Sequence, residues 1–134
     1  MAGLGGSFDS GMGGSNGRNA HLNNLASLLW GQGRLTEAEP MYQRAFTIRQ
    51  TVLGPQYPDT IASQYNLANV LNKQNRFKEA EPLMRPVIRH LHQERGENNR
   101  ATQQVILEWC NILRQLGLDD AAVKERLQAL IESC

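Results

Sequence analysis

Asn69 and Asn111 stand 42 residues apart, and Ser27 stands another 42 residues before Asn69. A carboxamide carries donors and an acceptor on one planar group, so it can pair with the N–H and the C=O of a peptide backbone together. Lys73 and Arg114 follow the two asparagines within one helical turn, and each brings a cation able to hold a ligand carboxylate, Arg114 in bidentate fashion. Residues spaced i, i+4, i+7 share one face of a helix. That spacing gathers Asn23, Ser27 and Trp30 in a first copy, Tyr65, Asn69, Asn72 and Lys73 in a second, and Leu107, Asn111, Arg114 and Gln115 in a third. Trp30, Tyr65 and Leu107 supply apolar contacts, and aromatic residues with arginine are what binding hot spots favour. The chemistry is recognition of a chain, without bond making. Trp30 has a second reading, packing beneath the N-terminal segment or the next helix.

Other reactive residue types lack the arrangement that chemistry needs. His90 and His92 are two apart on an expected helix and point apart, whereas a helical metal site uses i, i+4. Glu37, Glu39, Glu79 and Glu81 fall at helix N-termini, where the backbone dipole favours negative charge. No Ser or Cys nucleophile sits among His and acidic residues in a recognisable pattern. The glycine-rich start has neither a preceding strand nor a following Lys-Ser/Thr, so it is not a phosphate loop. No enzyme activity, cofactor or metal is expected.

Bulk properties narrow the class further. The 134 residues carry a formal net charge of +1 with 20% charged residues, so no general attraction to nucleic acid or acidic membranes is expected. Aromatic residues make up 6%, too few for a base-stacking surface. Apolar runs are too short to span a bilayer, and the first 20 residues lack the pattern of a secretory signal. Two cysteines, Cys110 and Cys134, make no disulfide framework, and a cytoplasmic setting is expected. Cys110 takes the place that Ala26 and Ala68 hold in earlier copies, as a small buried residue.

The elements that position these residues follow from the same period. Asn24-Leu25-Ala26 recurs as Asn66-Leu67-Ala68, Ala38-Glu39-Pro40 as Ala80-Glu81-Pro82, and Gly54 as Gly96. Fixed-period similarity in this range signals stacked supersecondary units. Residues 1–19 are rich in Gly, Ser and Asn and read as a flexible tail or linker; residues 20–134 read as an all-α domain with repeats at about 20–60, 61–102 and 103–134. Asn19 is the expected cap of the first helix, with Leu22, Leu25, Ala26 and Leu29 as its buried stripe. Thr36 with Glu39 resembles a capping box for the second helix, whose expected buried side is Ala38, Met41, Tyr42, Ala45, Phe46, Ile48 and Val52. Asp59 or Thr60 caps the third helix and Thr102 the fifth, while Pro86 predicts a kink in the fourth. Asn75 replaces the turn glycine found at Gly33 and Gly117, because asparagine tolerates left-handed backbone. The last helix, with Lys124, Glu125, Arg126, Gln128 and Glu132, is wet enough to close an array.

Leu25-Ala26, Leu29, Gly33, Ala38, Tyr42 and Ala45 fall at the spacing of a tetratricopeptide repeat helix pair. Its common form repeats every 34 residues; the 42-residue period and the Val52-Leu53-Gly54-Pro55-Gln56-Tyr57-Pro58-Asp59 turn resemble the longer variant of kinesin light chains. The resemblance covers residues 20–134 and implies an α-α superhelix of about three tetratricopeptide-like hairpins. It further implies a protein-interaction module that takes a linear peptide segment of a partner in a concave groove lined by the first helix of each pair. Asn24 and Asn66, beside the stripe, are expected to bond between helices. The alternative is a self-associating scaffold, a homodimer through the C-terminal helix, where Leu127 and Ile131 recur with Leu118, Val123 and Leu130.

Overall fold

The computed structural model describes the backbone of residues 13–133 and the side chains of residues 22–133. Six helices and no strand lie among the described residues: α1 (Gly13–Gly31), α2 (Leu35–Leu53), α3 (Pro58–Lys73), α4 (Phe77–Arg95), α5 (Arg100–Gln115) and α6 (Asp120–Glu132). The chain divides into two compact units, one up to Val70 and one from Leu71 onward, with the boundary inside α3.

One turn geometry recurs at the period seen in the sequence. After α1, Arg34 N–H donates to Leu29 C=O at 2.9 Å and Gly33 N–H to Trp30 C=O at 2.9 Å. After α3, Arg76 N–H donates to Leu71 C=O and Asn75 N–H to Asn72 C=O, both at 2.9 Å. After α5 the same two bonds join Leu118 to Leu113 and Gly117 to Arg114. This paired closure satisfies carbonyls that a helix end leaves open, and it requires left-handed backbone at its second-last residue. Gly33 has φ 77°, Asn75 φ 61° and Gly117 φ 101°, as the substitution of Asn for Gly predicts.

That closure also overturns the expected capping box. It delivers the chain into α2 at Leu35, so Thr36 is already the second helical residue, and the cap position Arg34 makes no side-chain cap bond. Instead the Arg34 guanidinium pairs with Glu37 one turn on, and Arg76 pairs with Glu79 in the same way through Nε–Oε2 and Nη2–Oε1 bonds of 2.7 Å. The other caps differ in detail as well. Pro58 opens α3, ahead of Asp59 and Thr60, since its fixed φ suits the first helical position. Asn99 rather than Thr102 caps α5, accepting from Ala101 N–H at 2.9 Å, and Asp119 caps α6, accepting from Ala122 N–H at 2.9 Å.

In the first unit α1 packs on α2, and Ala26, Ala38 and Ala45 are fully buried, which lets the two backbones approach closely. Arg49 ties α2 to α3: its Nη1 donates to Ser63 Oγ at 2.8 Å and to Asp59 C=O at 3.2 Å. Leu25 and Val52, expected on buried stripes, are 36% and 48% exposed. A helix buries one stripe, and Ala26 with Leu29 occupy it on α1, as Ala38, Tyr42 and Ala45 do on α2. Val52 continues that line only into the last turn. Helix α1 is described from Gly13, inside the segment expected to be a tail; residues 1–12 of that tail lie outside the described residues. Gly13, Gly14 and Gly17 each disfavour helix by about 1 kcal/mol relative to Ala, so these first turns are the weakest of α1.

In the second unit α5 packs on α4 and α6, and α6 also touches α4. Its core holds Met84, Ile88, Trp109, Ile112 and Leu113, all at most 2% exposed. Helix α4 runs without a break through Pro82 and Pro86. The two are four apart, so the carbonyl that Pro86 leaves without a helical donor is that of Pro82. Lys124, Glu125, Gln128 and Glu132 are exposed on α6.

Candidate functional site

Three residues expected on the recognition face meet in one cleft of the first unit. Ser27 and Trp30 come from consecutive turns of α1, Asn66 and Asn69 from consecutive turns of α3, and Tyr42 from α2 forms the floor of a cleft of about 260 Å³. Tyr42 is 4% exposed. Its ring meets Trp30 edge to face, with centroids 6.3 Å apart and planes at 83°. Its hydroxyl lies 3.1 Å from Ser27 Oγ, which satisfies the one polar atom that the buried ring carries. Neither Asn66 nor Asn69 has a side-chain hydrogen bond to another described residue, and both are half-buried at the cleft wall. Two unengaged carboxamides beside an aromatic pair can accept from and donate to a peptide backbone while the rings take an apolar side chain.

The cleft includes two residues that sequence reasoning placed elsewhere. Tyr42 was expected in the core, and it is, but one ring edge also faces the cleft. Asn66 was expected to bond between helices; it makes no such bond and stands one turn before Asn69 on the same face. The i, i+3 spacing of Asn66 and Asn69 was the available signal. Asn23 and Tyr65 are half-buried and do not line this cleft.

The other expected contacts belong to the second unit. Asn72 is half-buried and Lys73 is exposed in the last turn of α3. Leu107 is 61% exposed. Asn111 and Arg114 are both exposed but already engaged: Arg114 Nη1 donates to Asn111 Oδ1 at 3.3 Å, and Arg114 Nε to Asp120 Oδ1 at 3.1 Å. The Asp120 side chain is 92% exposed, so this ion pair is of the weak, solvated kind that a ligand carboxylate can displace.

Glu81 is the least expected group. Its period partner Glu39 is half-buried near a helix start, and for both the sequence marks only a place at a helix N-terminus. Glu81 is instead the fifth residue of α4, its side chain 9% exposed. Arg85 grips it through Nε–Oε2 and Nη2–Oε1 bonds of 2.6 and 2.5 Å, and Trp109 Nε1–H donates to Oε2 at 2.9 Å. Burial pushes the Glu81 carboxyl up, but the bonds from Arg85 and Trp109 and the charges of Arg85 and Arg126 together hold it below its ordinary value. Burial also raises the Cys110 thiol, against a weaker opposite pull from Arg114, so the buried cysteine is held as an inert thiol. No group of three or more His, Cys, Asp or Glu side chains gathers among the described residues, and none of their helices is long and apolar enough to cross a membrane.

Helical pairs closed by one recurring turn define a helical repeat protein. Residues 18–89 match the family model of the tetratricopeptide repeat, more than half of the chain, and the protein belongs to that family. A kinesin light chain with nearly identical TPR-like repeats from Podosopora anserina has a similar fold. It superposes with a TM-score of 0.73 over 87% of this chain, at 20% sequence identity. The chain spans 56% of that structure's length. No curated protein matches the sequence. Repeats of this family mediate protein–protein interaction, and so the general class of this chain is a protein-interaction repeat.

Proposed function

We propose that this chain binds a linear peptide segment of a partner protein, and that the Ser27–Trp30–Tyr42–Asn66–Asn69 cleft is its anchoring site. The observation that carries this reading is the pair of unengaged carboxamides, Asn66 and Asn69, facing the Trp30–Tyr42 ring pair. The carboxamides would fix the backbone of an extended peptide, and the rings would take one apolar side chain. Asn72, Lys73, Asn111 and Arg114 are further contacts within the second unit, where Arg114 would exchange Asp120 for a peptide carboxylate. A randomised linear-peptide display library, selected on the whole chain, tests the proposal. Selected peptides should lose at least about tenfold in affinity against Asn66→Ala/Asn69→Ala, the range for two hydrogen bonds at a partly desolvated site. Selected peptides that bind this double variant unchanged would remove the cleft from the site.

A second reading, self-association through α6, draws support from Leu127 and Ile131, which stay partly exposed there. Light scattering at several protein concentrations separates the two, since a monomer at every concentration excludes it.

A further inference from the structure

A second cleft, of about 230 Å³ and confined to the second unit, is built around arginine. Arg85 and Arg89 stand one turn apart on α4, and Arg126 faces them from α6. Trp109, Ala129 and Leu130 supply an apolar floor, and Ser133 forms the rim. The three cations are held differently. Arg85 spends Nε and Nη2 on the buried Glu81, which fixes its fork in place. Arg89 donates Nε to Ser133 Oγ at 3.2 Å, and its Nη groups bond no other described residue. Arg126 makes no hydrogen bond or ion pair with a described residue, and among these its one electrostatic partner is Glu81.

The charges do not cancel. Among the described residues Glu81 is the single carboxylate answering three guanidinium groups, which leaves an excess of two positive charges there. Like charges converging in excess of their anion oppose folding, and an incoming dianion would relieve them. We propose that this cleft binds a phosphorylated serine or threonine side chain on a peptide. A phosphoryl group carries about −1.5 to −2 charges at pH 7 with three acceptor oxygens, which matches both the residual charge and the three guanidinium donors. The apolar floor would take the carbon atoms of the neighbouring peptide. A carboxylate, a single negative charge with two oxygens, answers only half of this field. The site shares no residue with the Trp30–Tyr42 cleft and stands or falls independently of the peptide reading above.

Trp109 gives the experiment a local reporter, because its indole N–H is bonded to Glu81 beneath the arginines. The whole chain, labelled with ¹⁵N, is titrated in turn with O-phosphoserine, with glutarate and with dimethyl phosphate. The Trp109 indole signal is told from that of Trp30 by Trp30→Phe. O-phosphoserine is expected to shift the Trp109 signal to saturation, and to do so about tenfold more tightly than glutarate or dimethyl phosphate, which each carry less charge per phosphoryl or carboxyl group. Arg126→Ala and Arg89→Ala should each weaken the response about tenfold while leaving the undisturbed Trp30 signal as a mark of intact folding. Arg85→Ala is avoided because it would strip the buried Glu81 of its partner. A Trp109 signal that does not respond, or a response that survives Arg89→Ala/Arg126→Ala, would overturn the site. An equal response to glutarate would overturn the phosphoryl assignment in favour of acidic side chains, and an equal response to dimethyl phosphate would overturn it in favour of a phosphodiester.

Discussion

The hydroxyl of Tyr42 on α2 lies 3.1 Å from Ser27 Oγ on α1, joining a core ring to a residue of the candidate recognition face. Tyr42→Phe keeps the ring and removes this bond, so a loss of about 1 kcal/mol in denaturant unfolding is expected. Tyr42→Ala also empties the floor under Trp30 and should cost about 3–5 kcal/mol. Trp30 emission should shift to longer wavelength in Tyr42→Ala and stay in place in Tyr42→Phe.

Glu81 predicts a defined acid limit. Its carboxyl is held below the ordinary value of 4.5, so the folded state binds its proton less readily than the unfolded chain. The stabilisation it gives is therefore fully present above that ordinary value and is lost as pH falls below it, through the lowered value in the fold. Unfolding measured across this range should show Glu81→Gln less stable than the native chain at neutral pH. The difference should shrink as pH drops under 4.5.

Thr60 is fully buried and its hydroxyl has no hydrogen-bond partner among the described residues, whereas Thr102, its counterpart 42 residues on, donates to Leu91 C=O at 3.4 Å. Thr60→Val replaces an unpaired polar atom by a methyl of similar size. It should raise stability by about 1 kcal/mol. Thr102→Val should give less or lose a little, and thermal unfolding of the two variants compares them directly.

The recurring turn sets its own mutational order. Gly33 has φ 77°, and a side chain there would meet no described atom within 4 Å, so strain alone, not crowding, decides substitutions. Gly33→Ala should cost about 1–2 kcal/mol and Gly33→Asn distinctly less, since asparagine visits this region more readily. Asn75→Gly should be close to neutral in the same denaturant assay.

The turns were legible in the sequence because their chemistry is local. A residue that tolerates positive φ was expected at positions 33, 75 and 117, and Gly33, Asn75 and Gly117 adopt it. Helical spacing groups Ser27 with Trp30, the 42-residue period sets Asn69 in the slot of Ser27, and the three line one cleft. Tyr42 joins them through the packing of α1 on α2, and a spacing rule for one helix carries no information about which ring a second helix presents. The burial of Glu81 was not legible for the same reason: its partner Trp109 lies 28 residues away. The Thr36–Glu39 pattern satisfied a local rule, but the preceding closure at Gly33 and Arg34 had already started the helix.

Trp30 fluorescence during titration with a library-selected peptide tests the central claim most directly. The peptide should change Trp30 emission to saturation, and Asn66→Ala/Asn69→Ala should weaken that titration at least about tenfold with the unbound spectrum unchanged. A peptide that binds the chain by calorimetry yet leaves Trp30 emission flat, with Trp30→Phe binding as tightly as the native chain, would contradict it.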